Sequence, residues 1–389
     1  MRILTRARVI VAGLLFMISC GGMGLTGSLR SPRAVAADTI GHGYLLLVNT
    51  AIASQMDEAK FRQFGKSPYD GLAVAFVHAY DTSAIPPAAD MAAKLREWRK
   101  ICGKDIWPWV YVNRIIAMNP SENNPHSDTP YFRGIAGADL DDARGAQSDY
   151  LRLWRNSLAA ARQAGSPGIV GDLEFYNNYK EYDIGELAKE LQKTPADAAT
   201  RLQALGTRMA DIANEEYPQA KLWFLFTGFT HAGFKSYDGV AYYPSPTYIA
   251  MGMLDEIVRK NMSLTVLTGG EGSLGYCHES VAEFRAALDR RAVALKPVLA
   301  KYDGRLEMAG TMTLWSDRAG KKGWVNEGAC KTASAATAEE LRPYLELLLN
   351  TYEYNWIYAS PDGSYLAFSS ESAGRFDAVI QQARRNASH

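Results

Sequence analysis

The sequence predicts one α/β domain over residues 38–389, a single (β/α)8 barrel with extended βα loops. Three observations predict it. Eight near-continuous apolar runs recur along this stretch without strict polar/apolar alternation, which is how strands covered on both faces of a parallel sheet read. Segments of helical period separate the runs. No G-x-G-x-x-G follows the first run, so the dinucleotide-binding type of doubly wound sheet lacks its fingerprint.

The runs are Tyr44–Thr50, Leu72–Tyr80, Ile106–Asn113, Gly168–Glu174, Leu222–Thr227, Leu264–Thr268, Met308–Trp315 and Asn355–Ala359. Between them, Met91, Leu95 and Trp98 share one helical face. So do Leu151, Trp154, Leu158 and Ala161, and again Leu202, Leu205, Met209 and Ile212. Thr194-Pro195 with Asp197 supplies an N-cap, a proline at N1 and an acid in the first turn. Ser280–Glu283 and Thr337–Glu340 read as capping boxes. Asp238–Tyr243 is a ninth strand candidate, either the true sixth strand or part of an insertion. The irregular segment from Met118 to Ala138 follows a strand. In a barrel it is a βα loop over the C-terminal face, where active sites lie.

Ahead of the barrel, Arg2, Arg6 and Arg8 precede the apolar run of residues 9–19. That run is far shorter than the ~20 residues a spanning helix needs, and with its basic flank it reads as a secretory signal over residues 1–19. Ser19-Cys20 ends the run in the manner of a bacterial lipobox. Cys20 is therefore the expected lipidation site, with residues 20–37 as a tether. The competing cut follows Ala34-Val35-Ala36 and gives simple secretion. Either way the protein is expected in the cell envelope or secreted, touching a membrane only through a lipid anchor.

Net charge over the whole chain is zero. Loss of residues 1–36 removes five arginines and no acid, leaving 37 basic and 42 acidic residues. No basic field is left for a nucleic acid. Six His and four Cys are too few for a disulfide scaffold or a multi-zinc protein. Export permits oxidation, and Cys277 and Cys330 both follow predicted strands, so they are the expected disulfide pair. Cys102 ends a helix just before a strand and belongs to the opposite face.

The sharpest chemical feature is Gly171-Asp172-Leu173-Glu174 at the end of the fourth predicted strand. Asp172 and Glu174 are two apart and share a face, which in a barrel is the lumen. Adjacent carboxylates do not both ionise easily, so one becomes a proton donor beside an anion. Glycoside hydrolysis uses such a pair. Glu271 after Gly269-Gly270 and Asp317 after Trp315-Ser316 are candidates for a further carboxylate at the same face. Asn113 and Arg114 at a strand end, with Tyr176, Asn177 and Tyr243, are candidates to bind sugar hydroxyls or rings. Trp107, Trp109, Trp315 and Trp356 are candidates to stack on them.

Residues 167–174 resemble the D-G-x-D-x-D-x-E motif on the fourth strand of family-eighteen chitinases and endo-β-N-acetylglucosaminidases, which are TIM-barrel glycoside hydrolases. Gly168, Ile169, Asp172 and Glu174 fit that pattern; Pro167 and Val170 replace two of its acids, and Gly171 replaces an apolar residue. The resemblance implies that Glu174 protonates the leaving oxygen and that Asp172 orients the substrate's acetamido group. No cofactor or metal is expected, since the sequence has no H-E-x-x-H, C-x-x-C, P-loop or G-x-S-x-G. His78, on a buried run, reads as a core histidine, whereas His231 and His278 are possible substrate contacts with no nucleophile beside them. The expected function is glycan or polysaccharide hydrolysis by carboxylate acid/base chemistry. The alternative is a non-catalytic carbohydrate-binding lipoprotein on the same barrel.

Overall fold

The computed structural model describes residues 43–77, 84–111, 118–119, 131–132, 146–174, 182–230, 235–237, 239–274, 278, 280–313, 338–359 and 370–387. Eight parallel strands close a barrel: β1 (Tyr44–Ile52), β2 (Gly71–Ala75), β3 (Asp105–Tyr111), β4 (Gly168–Asp172), β5 (Lys221–Phe224), β6 (Thr265–Thr268), β7 (Leu306–Thr313) and β8 (Tyr354–Ala359). Each pairs with its neighbours in chain order, and β8 returns to β1 through Tyr44↔Tyr354 and Leu46↔Trp356. All eight expected runs are strands, with ends moved by one to a few residues.

The helices are α1 (Glu58–Gly65), α2 (Ala88–Cys102), α3 (Ala146–Ala164), α4 (Ile184–Leu191), α5 (Pro195–Glu216), α6 (Ser245–Arg259), α7 (Glu271–Leu274), α8 (Val281–Lys301), α9 (Ala338–Thr351) and α10 (Ser370–Asn386). The Thr194 box forms as expected. Its side chain accepts from Asp197 N–H at 3.1 Å, and Asp197 reaches back to the Thr194 N–H. Ser280 likewise accepts from Glu283 N–H at 3.1 Å and starts α8. Among the described residues no helix is long and apolar enough to cross a membrane.

Side-chain alternation along the strands builds two layers. Leu46, Val48, Trp107, Val170, Trp223 and Trp356 fill the barrel interior. Their neighbours, such as Ile169, Leu222 and Phe224, face outward and pack under α3, α5 and α6. The α5–α6 crossing is unusually close: a Cβ on Gly206 would lie 2.0 Å from the Ile249 carbonyl oxygen, and one on Gly252 would lie 2.0 Å from that of Gln203. Only glycine permits that approach.

The ninth candidate is not a barrel strand. Val240–Tyr242 pairs antiparallel with Lys235–Tyr237, outside the barrel and between β5 and α6. Within the irregular segment, Met118–Asn119 pairs antiparallel with Tyr131–Phe132.

Candidate functional site

At the C-terminal end of β4, Val170 faces the interior and Ile169 and Leu173 face the helices. By the same alternation, Asp172 and Glu174 belong to the interior face. Asp172 is buried, at 1% exposure, and Glu174 is half-buried. The Asp172 Oδ1 accepts from the Glu174 N–H at 2.9 Å, so the first carboxylate fixes the backbone that carries the second. Tyr111 on β3 is the register partner of Asp172, is almost fully buried, and stacks on Trp109 with ring centres 4.5 Å apart. The Trp109 indole N–H is buried with no hydrogen-bond partner among the described residues. Behind the strand, burial and then the negative charge of Asp172 push the phenol of buried Tyr150 far up. It stays protonated at any ordinary pH.

Two strands further round, β6 leads into Gly269, Gly270 and Glu271. Gly270 adopts φ +86°, the left-handed region that favours glycine. The turn is tied at every residue. The Thr268 carbonyl accepts from Arg291 Nη2 at 2.7 Å, and the Gly269 carbonyl from Trp356 Nε1 at 2.9 Å. The Gly269 N–H donates to the Phe224 carbonyl at 2.6 Å and the Glu271 N–H to the Leu225 carbonyl at 3.2 Å. Glu271 therefore begins α7 from a fixed backbone at the mouth, half-buried. Backbones on alternate barrel strands lie about 10 Å apart. Side chains from β4 and β6 can close that gap to the separation at which two carboxyls flank a glycosidic bond.

Two of the expected aromatic stackers do not line an open site. Trp356 and Trp107 are fully buried inside the barrel. Trp356 sits mid-strand rather than at a strand end, and its indole N–H is spent on Gly269. Tyr243 is half-buried between the outer hairpin and α6; its N–H donates to the Tyr248 hydroxyl at 3.1 Å. His278 is 9% exposed and packs on Phe284, ring centres 4.7 Å apart. Burial pulls its pKa below the usual imidazole range. Asn113, Arg114, Tyr176, Asn177, Asp317 and Trp315 lie outside the described residues, as do His78, His231, Cys20, Cys277 and Cys330. Cys102 is a free, buried thiol at the end of α2, on the N-terminal side of the barrel.

Reading the sequence missed Arg291, Tyr111 and Tyr150. Tyr111 was within reach, because it ends β3 beside the end of β4. Arg291 carried no signal, since an arginine within an amphipathic helix reads as exposed. Among the described residues, no group of three or more His, Cys, Asp or Glu is arranged to hold a metal ion.

No family model matches this chain, and no curated protein sequence matches it. Solved structures resemble it at low identity. A glucosidase from Croceicoccus marinus is 12% identical, with 88% of this chain and 67% of that chain covered and a TM-score of 0.44. A sugar phosphate isomerase/epimerase from Parabacteroides distasonis is 8% identical, with 90% and 98% covered and a TM-score of 0.43. The catalytic domain of a β-amylase from Paenibacillus polymyxa is 8% identical, with 87% and 98% covered and a TM-score of 0.41. Sugar-processing enzymes, epimerases beside hydrolases, recur among these structures, and a morphinone reductase stands with them. Likenesses this distant carry no argument about activity. The barrel rests on its own strand pairing.

Proposed function

We propose that this protein is an exported glycoside hydrolase acting on a polysaccharide or glycan by carboxylate acid/base chemistry. One observation carries the reading. A buried aspartate, Asp172, and a half-buried glutamate, Glu174, share the interior face at the C-terminal end of β4, joined by the 2.9 Å bond from the Glu174 N–H to the Asp172 carboxylate. In this fold that end of the strands carries the chemistry. Glu174 is the general acid: it protonates the glycosidic oxygen as the bond to the anomeric carbon breaks. The negative charge of Asp172 beside it favours retention of that proton. Glu271, on the tied turn after β6, is the second carboxylate, acting as nucleophile or as base towards water on the opposite face of the sugar. Asp317 is the other candidate for that role. The resemblance of residues 167–174 to the strand-four motif of chitinases agrees with the role given to Glu174.

Cleavage before Cys20 and acylation there would tether the barrel to the envelope. Mass spectrometry of the native N-terminus tests this, and a chain beginning at Ala37 rejects it. Intact-mass measurement with and without reductant tests the Cys277–Cys330 disulfide.

The catalytic reading is tested by a glycan-hydrolysis screen of the mature protein with Glu174→Gln in parallel. The variant keeps the shape and loses the transferable proton. Its turnover should fall by about 10²–10⁴-fold with an unchanged thermal midpoint. Near wild-type turnover in Glu174→Gln would refute the assignment.

A further inference from the structure

Arg291 lies on α8, 2% exposed. Its Nη2 donates to the Thr268 carbonyl, and its guanidinium carbon lies 5.1 Å from the centre of the Tyr352 ring. Among the described residues Nε and Nη1 have no partner within hydrogen-bond geometry, and the charge interacts with the Tyr352 hydroxyl. Burial pulls its pKa below the usual guanidinium range. Among the described residues no carboxylate pairs with it; an unpaired buried cation is unfavourable, and a methionine would fill the same space without that penalty. Stability therefore does not account for the charge.

The guanidinium does reach one functional element. A Cβ on Gly270 would lie 2.9 Å from the Arg291 Cζ, so the fork packs directly on the backbone of that residue. It also holds the carbonyl of Thr268, two residues earlier. Trp356 holds the carbonyl between these two contacts. The next residue in the chain is Glu271.

We propose that Arg291 is a positioning residue: it clamps the Thr268–Glu271 turn and so fixes the direction in which Glu271 is presented to a sugar bound against Glu174. This inference rests on the glycosidase reading above. An arginine suits the task because its planar fork donates in one direction while a face lies on an aromatic ring. A lysine could supply the donor but not the stack.

The experiment compares wild type, Arg291→Met, Arg291→Lys, Glu271→Gln and the double variant Arg291→Met/Glu271→Gln on the glycan found by the screen. Arg291→Met should lower kcat at least about tenfold with KM changed less than about threefold, the signature of lost transition-state alignment. Its thermal midpoint should stay at or above the wild-type value, which a merely structural arginine would not allow. Arg291→Lys should recover part of the rate. The double variant should be no slower than Glu271→Gln alone, because residues acting through one another do not add. Wild-type turnover in Arg291→Met, or losses that multiply in the double variant, overturns the inference and leaves the glycosidase reading standing.

Amide exchange reads the clamp without substrate. Exchange at Gly269 and Glu271 should quicken at least about tenfold in Arg291→Met, and unchanged exchange overturns the inference whatever the activity. If Arg291→Met does not fold, Arg291→Lys carries both measurements: a kcat between those of wild type and Glu271→Gln with quickened exchange supports the inference, and wild-type kcat with unchanged exchange overturns it. Full activity in Glu174→Gln, or no glycan cleaved, fails the glycosidase reading instead. The exchange result still decides whether Arg291 holds the turn.

Discussion

The two ends of the barrel treat their charges differently. At the N-terminal end, carboxylates meet cations. Asp105 takes Arg99 Nη2 at 3.0 Å and the Tyr44 hydroxyl at 3.1 Å, and Tyr44 in turn accepts from Trp107 at 2.8 Å. Asp70 takes Arg384 Nη2 at 3.1 Å and caps the Leu45 N–H at 2.8 Å. Arg99, Arg384 and Lys104 also bond the carbonyls of Ala164, Pro68 and Tyr69. These contacts bridge residues far apart in the chain and seal the lumen below Trp107 and Trp223. The cleft there, about 630 Å³ and lined by Tyr44, Asp70, Arg99, Lys104 and Asp105 among others, is bordered by charges already matched to one another. At the C-terminal end, the contacts of the described residues include charges on backbone: Asp172 accepts from the Glu174 amide, and Arg291 donates to the Thr268 carbonyl. Matched charges secure a fold. Charges that bond a strand end or a turn hold its local geometry.

That contrast is sharpened by substitutions at either end. The largest effect is expected at the C-terminal mouth. Asp172→Asn should lower turnover by about 10²-fold or more while leaving the thermal midpoint close to wild type. Paired with Glu174→Gln the losses should not add. Kinetics and calorimetry on the two single variants and the double settle it, and additive losses would mean that the carboxyls do not act as a unit.

At the other end the readouts should exchange places. Asp105→Ala removes the carboxylate partner of Arg99, leaving it the bond to the Ala164 carbonyl, and the acceptor for the Tyr44 hydroxyl, so unfolding free energy should fall by about 2 kcal/mol. Turnover per folded molecule should not change. A drop in kcat without a loss of stability would erase the distinction between the two mouths.

The smallest effect is a pH dependence on the N-terminal side, where α6 ends. Glu256 bonds Arg259 Nε at 2.7 Å, and Lys260 Nζ lies 2.8 Å from it. The Arg259 bond, ahead of an opposing desolvation and a further bond from Lys260, holds its carboxyl at about 2 instead of 4.5. A folded-state pKa below the unfolded one means that this contribution is present above about pH 4.5 and is lost as pH falls towards 2. Both partners are largely solvated, so about 1 kcal/mol is at stake. Glu256→Gln should flatten the stability-against-pH curve in that window, and an unchanged slope would remove Glu256 from the account.

Several features were legible in the chain because they are local. Eight apolar runs with intervening helical period gave the barrel, since burial on both faces of a strand leaves an unbroken hydrophobic run. The Thr194 and Ser280 caps were legible because a cap is a pattern of four residues. Asp172 and Glu174 could be put on one face because strand period is two. Where sequence reasoning failed, the missing information was long-range. Trp356 looks like any aromatic on a strand until closure of β8 against β1 puts it inside. Val240–Tyr242 looks like a strand in its own right until β5 pairs directly with β6 and leaves it outside.

The sequence by itself determined the fold class, the element order and the pair of acids at the end of β4, because each follows from periodicity within a short window. Only the tertiary structure decided that Trp356 is core, that the turn before Glu271 is tied at every residue, and that Arg291 is buried behind it. Those facts depend on which elements meet. The carbonyls of Thr268 and Gly269 ahead of Glu271 are held by residues 23 and 87 positions further along the chain, and no local pattern of charge or hydrophobicity encodes a contact made at that separation.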